Sequence, residues 1–141
     1  MTFYAVEPEV PGQFGEDAVV DYSTRPVGVS QYHLEFDGWL GDDLVEAIGT
    51  FLVTEPVASA ISQSDLTGVE FAEAKVTPGT TLRELQPDLE LPTFRWMKVT
   101  GEVFRDDFGI SEDIRLVVSD RAWELLQRHA KLDSATTERL R

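Results

Sequence analysis

The chain contains no cysteine, which excludes disulfide staples and thiolate metal sites. Histidine is scarce: His33 and His129 are the only two, and they do not form a metal-ligand spacing on one helix face. No stretch reaches the ~18 apolar residues of a membrane span. The start Met1-Thr2-Phe3-Tyr4 lacks the basic and apolar regions of a secretory leader. Together these absences lead to the expectation of a cytoplasmic protein with no metal and no cofactor. Gly-x-Ser-x-Gly elbows, phosphate-binding glycine loops and dinucleotide fingerprints are also missing. Bases are few and unevenly placed. Residues 1–70 hold thirteen Asp or Glu against Arg25 alone, whereas residues 71–141 hold thirteen acids against eleven bases. The net charge of -14 repels nucleic-acid phosphates and anionic lipid and attracts cationic surfaces. No nucleic-acid or membrane partner is therefore expected.

What is present amounts to one domain of 141 residues. Residues 1–29 form a lead-in punctuated by Pro8, Pro11-Gly12, Gly15, Pro26 and Gly28, with short strands at Phe3–Val6 and Ala18–Tyr22. Ser30–Phe36 alternates, placing Tyr32, Leu34 and Phe36 on one face of a half-buried strand and His33 on the opposite side, facing solvent or a groove. Phe51–Thr54 reads as an apolar strand that runs into a helix near Glu55–Ser64. Thr54 stands at the N-cap, and Pro56 is tolerated in the first turn. The pattern recurs at Leu116–Ser119, with Ser119 as cap and a helix to about Ala130. Asp42-Asp43 precedes the first unit and Asp106-Asp107 the second, and Tyr32–Phe36 parallels Trp96–Val99. Two related halves follow, over 30–68 and 94–132. Between them, Gly68–Val76 reads as a strand bulged or bent near Phe71, and Thr77–Pro92 as a long loop with at most one short turn around Leu82–Leu85. The expected class is α+β, with a mixed or antiparallel sheet and two main helices.

Adjacent aspartates can hold a divalent cation or split their proton affinities, but Asp is also a favoured turn and cap residue. Trp39 sits in the acidic stretch Glu35–Glu46, where an aromatic ringed by carboxylates suits a cationic partner, although it equally suits the edge of a core. The candidate partner-binding residues are Glu35, Asp37, Trp39, Asp42, Asp43 and Glu46. No catalytic residue is assigned. The alternatives are a small hydrolase built on carboxylates and His33, which requires a pocket holding His33 and two acids, and a structural or regulatory subunit with a broad apolar patch.

The run Leu116-Val-Val-Ser-Asp-Arg-Ala-Trp-Glu-Leu-Leu126 resembles the carboxy-terminal signature of bacterial immunity proteins from polymorphic toxin systems. Phe51–Ile61 and Leu66–Phe71 are similar to its first-half counterpart, so that the resemblance covers about residues 30–132. It implies a small cytoplasmic α+β protein that is not an enzyme and that binds and neutralises a cognate toxin, with no catalytic residues to carry over. Relatives bearing Cys-x-x-Cys metal motifs find no counterpart in this chain.

Overall fold

Two apolar strands that each end in a hydroxyl residue organise the molecule. The computed structural model describes residues 1–141. In chain order its elements are β1 (Phe3–Glu7), β2 (Gly12–Phe14), β3 (Val19–Asp21), β4 (Gly28–Gln31), β5 (His33–Phe36), β6 (Leu44–Ala47), β7 (Thr50–Thr54), α1 (Glu55–Ser62), β8 (Val69–Glu73), β9 (Lys75–Pro78), α2 (Thr80–Leu85), β10 (Phe94–Val99), β11 (Phe108–Ile110), β12 (Leu116–Ser119), α3 (Asp120–His129) and β13 (Thr136–Arg139). The class is α+β. One four-stranded sheet runs β6-β7-β10-β8 and a second runs β11-β12-β1-β13. Smaller sheets, β2-β5-β9 and the β3-β4 hairpin, complete the fold.

The two large sheets share one wiring. In the first, Phe94 lies opposite the cap residue Thr54 and Met97 opposite Phe51. In the second, Phe3 lies opposite the cap residue Ser119 and Val6 opposite Leu116. Glu55 N–H donates to Thr93 O, and Asp120 N–H to Thr2 O, at 3.0 and 2.8 Å. The counterpart of β10 is therefore β1, not β5, and the shared signal is the dipeptide Thr-Phe at 2–3 and 93–94. The units read β1-β6-β7-α1-β8 and β10-β11-β12-α3-β13. Each unit places its first strand in the other unit's sheet. What the punctuation suggested was a lead-in thus includes an interior strand.

Both sheets turn one face toward α1 and α3. Val6, Phe51, Val53, Met97, Phe108, Leu116 and Val118 pack there against Val57, Ile61, Ala122 and Leu126. At roughly 1.5–3 kcal/mol per large apolar side chain removed from water, this layer is the main source of cohesion. The β6-β7-β10-β8 sheet is covered on its other face as well, where Val45, Leu52 and Phe94 meet Tyr32, Leu34, Phe36 and Leu82. That second covering explains why every residue of β7 is buried rather than alternate ones.

Three local expectations change. Ser30–Phe36 is two strands, because β4 pairs with β3 whereas β5 sits between antiparallel β2 and parallel β9. Tyr32, Leu34 and Phe36 are buried, as their alternation predicts. The strand read through Gly68–Val76 ends at Glu73 and resumes at Lys75, where the chain leaves one sheet and joins another. The segment read as a loop carries α2, anchored by buried Leu82.

The second aspartate of each pair ties the units together. Asp43 Oδ1 accepts from Thr54 Oγ1 (2.9 Å) and Oδ2 from Lys131 N–H (2.6 Å), just past α3. Asp107 Oδ1 accepts from Ser119 Oγ (2.6 Å) and Oδ2 from Thr67 N–H (2.9 Å), just past α1. Ser119 also accepts from Ala122 N–H at 3.2 Å, so it caps α3 as expected. Thr54 occupies the cap position but gives its hydroxyl to Asp43 instead. Arg121 grips Asp107 through Nε (2.8 Å) and Nη2 (2.7 Å).

Arg121, aided by Ser119 and Thr67, holds the Asp107 carboxyl well below the usual carboxylate range against the opposing effect of burial. The stability this supplies is present above the unfolded value near 3.8 and lost as pH falls toward the depressed folded value. Asp107→Ala should cost roughly 2 kcal/mol at pH 7, since it strands the buried Ser119 hydroxyl and frees Thr67 N–H and the half-exposed Arg121 guanidinium. Urea unfolding at pH 7 and pH 3 checks this: the gap between wild type and variant should narrow at the lower pH.

Candidate functional site

β1 ends at Glu7, and Pro8 and Pro11 bend the chain across the top of the loop that follows β5. With the carboxy-terminal end of α2, these segments enclose an open groove of about 880 Å³. Three aliphatic side chains on its walls are largely in water: Val10 at 66%, Leu40 at 71% and Leu85 at 76% exposure. Trp39 lies between them. Its ring meets Phe94 edge-on at 6.0 Å, and its Nε1–H donates to Asp42 O at 2.9 Å, which holds the indole in one orientation. Asp37 stands exposed at the rim, and no lysine or arginine lines the groove.

The loop owes its shape to buried carboxylates. Glu9 accepts from the backbone N–H groups of Leu40 (2.7 Å) and Asp42 (3.3 Å). Asp42 is 0% exposed. Its Oδ2 accepts from Ser134 N–H at 2.8 Å, while Oδ1 has no hydrogen-bond partner. Burial pushes the Glu9 carboxyl up from its ordinary 4.5; the nearby Asp42 adds to the rise, and the two backbone donors and Lys131 oppose it.

The six residues chosen from sequence do not form one face. Asp37 and Trp39 line the groove. Glu35 reaches its edge through Gln13, whose Nε2 donates to the Glu35 carboxylate at 3.0 Å. Asp42 lies sealed beneath and is not presented to a partner. Asp43 is engaged in joining the two units. Glu46, on β6, is half-buried; its carboxyl is pushed up by burial, against a bond from Gly49 N–H and with a further rise from Glu7. Sequence reasoning missed Val10, Leu40, Leu85 and Glu9. The available signals were Leu40 between glycines in Gly-Trp-Leu-Gly and Val10 between two prolines, apolar residues where turns have no use for them.

His33 is buried, not solvent-facing, because the chain at Gly15 lies directly on its ring. Its Nδ1 accepts from Asp17 N–H at 3.1 Å, so the proton resides on Nε2, which donates to Thr77 Oγ1 at 2.8 Å. Both nitrogens are committed, and His33 does not line the groove. No group of three or more His, Asp or Glu is placed to hold a metal ion. Comparison with protein-family models, curated proteins and solved structures finds no match to the chain.

A carboxyl raised by burial favours the folded state while protonated and disfavours it once ionised. The contribution of Glu9 should therefore decline as pH rises from about 4.5 through its elevated folded value. Denaturant midpoints of wild type and Glu9→Gln at pH 4.5 and 7 test this: the balance should move in favour of the variant at pH 7.

Proposed function

We propose that the chain is a binding protein of the immunity type, which neutralises a bacterial toxin by covering a basic surface of it, and that the Trp39 groove is where the toxin docks. One observation carries the reading: Val10, Leu40 and Leu85, each more than 60% exposed, converge around an oriented tryptophan in a concavity that contains acids and no base. Exposed aliphatic side chains gathered in this way mark protein contact surfaces. A fixed tryptophan with aliphatic neighbours is the composition of a binding hot spot. The surrounding charge adds kinetics: a net of -14 draws a cationic partner toward the groove and speeds encounter at low salt. Chemically, the partner would bring an apolar knob for the groove and flanking Lys or Arg for Asp37 and Glu35.

The test is growth rescue. The chain is co-expressed with candidate toxins encoded beside its gene, first as wild type and then as Leu40→Asp/Leu85→Asp. Wild type should restore growth, and the double variant should bind at least 100-fold more weakly in titration calorimetry. Because both leucines are exposed, its melting temperature should stay within a few degrees of wild type. If wild type gives no rescue, the inhibitor reading is lost; if the double variant binds as tightly as wild type, the contact lies elsewhere.

A further inference from the structure

We propose that a second groove, on the outer face of the β11-β12-β1-β13 sheet, is a seat for an arginine side chain of a partner protein, and that the chain's own Arg141 is its resting occupant. The segment between β10 and β11 crosses this face and presents Phe104, 37% exposed, at φ 68°. An aromatic residue in the left-handed region is held there against its own preference. Phe3 supports the ring from below, edge-on at 5.3 Å and 83°. From above, the Arg141 guanidinium carbon lies 4.0 Å from the ring centroid, within cation–π range. The groove measures about 910 Å³. Glu102, Asp106, Glu112 and Asp113 line it, with no lysine or arginine among its walls.

The seat is only half used. Arg141 covers the ring but makes no ion pair with any of the four carboxylates. Arg105 occupies Glu102, Arg115 occupies Asp113, and Asp106 accepts from Glu102 N–H; Glu112 has no partner. A guanidinium arriving from solvent finds the Phe104 face and, in the same groove, the unpaired Glu112 carboxylate, whereas Arg141 engages the ring alone. Ile110 and Leu140 line the same groove and suit the aliphatic stem of the incoming side chain. Lysine fits less well, because its ammonium is a point charge without a stacking plane. The seat shares no residue with the Trp39 groove and rests on the proposed function only for the expectation that the partner is a basic protein.

The experiment titrates the full chain with a six-residue peptide alternating Arg and Ala, and with its Lys counterpart, following the Ile110 and Leu140 methyl signals by NMR at 0.15 M salt, with the Phe104 ring protons as a second reporter wherever Phe104 is present. The arginine peptide should bind several-fold tighter than the lysine peptide. Arg141→Gln should tighten arginine binding about 3-fold or more by removing the internal competitor, and Phe104→Leu should reduce it to the lysine level. Arg141→Gln alters an exposed residue and leaves the core intact, so it reads the seat even if Phe104→Leu disturbs folding. Equal affinity for both peptides, or an Arg141→Gln affinity equal to wild type, would overturn the proposal. A seat that fails leaves the growth-rescue assay unaffected, and a failed rescue leaves this titration standing.

Discussion

Two carboxylates, Asp43 and Asp107, hold the architecture in register. Each accepts from the hydroxyl residue that opens its own unit's helix and from the backbone just past the other unit's helix. Each therefore fixes three things at once: the start of a helix, the turn before a strand, and the contact between units. Charge-assisted bonds of this kind are stronger than neutral ones, and the one between Ser119 and Asp107 is buried away from water. The two sites differ in one respect. Asp107 is also gripped by Arg121, whereas the corresponding place at the start of α1 is Pro56, which offers no donor. The second unit is thus tied by an ion pair as well as by hydrogen bonds.

The groove around Trp39 belongs to material that the repeated units do not need. Between β1 and β6, the first unit carries an insertion holding β2 to β5, which the second unit lacks between β10 and β11. That insertion covers the outer face of one large sheet, and its last loop is anchored from below by Glu9 and from the side by Ser134. The scaffold is thereby rigid where the loop is pinned and open where its apolar side chains emerge. A surface of this kind is shaped before any partner arrives, so little ordering entropy remains to be lost on contact.

Much of the fold is legible in the residues. Phe51–Thr54 and Leu116–Ser119 announce themselves as apolar strands ending in caps, and the repeated Asp-Asp marks the turns before them. Alternation at Tyr32, Leu34 and Phe36 gives the buried face correctly. The place of β1 is not legible in the same way. Its match to β10 lies in two residues, Thr-Phe, and its partners are far along the chain, so no local period reveals the pairing. The β13 strand, Thr136–Arg139, is exposed throughout and carries no apolar alternation to signal it. The candidate site divides for a related reason. Acid content locates the stretch from Glu35 to Glu46, but composition does not separate a carboxylate turned to solvent, as Asp37, from one sealed inside the fold, as Asp42. His33 goes astray similarly: its phase on β5 is right, but the chain at Gly15 covers the side that alternation assigns to solvent.

The crossed placement of first strands has a consequence for vectorial synthesis. Phe3 pairs with Ser119, and Glu7 with Thr136, so β1 leaves the ribosome well before the strands it pairs with. At about 5–20 residues per second, that delay is roughly 6–25 s. Throughout it, the apolar side of β1 has no mate. The β6-β7-β10-β8 sheet can close earlier, since its strands lie between residues 44 and 99. A nascent chain interrupted before β12 retains β1 as an unpaired hydrophobic strand for chaperones and proteases to read.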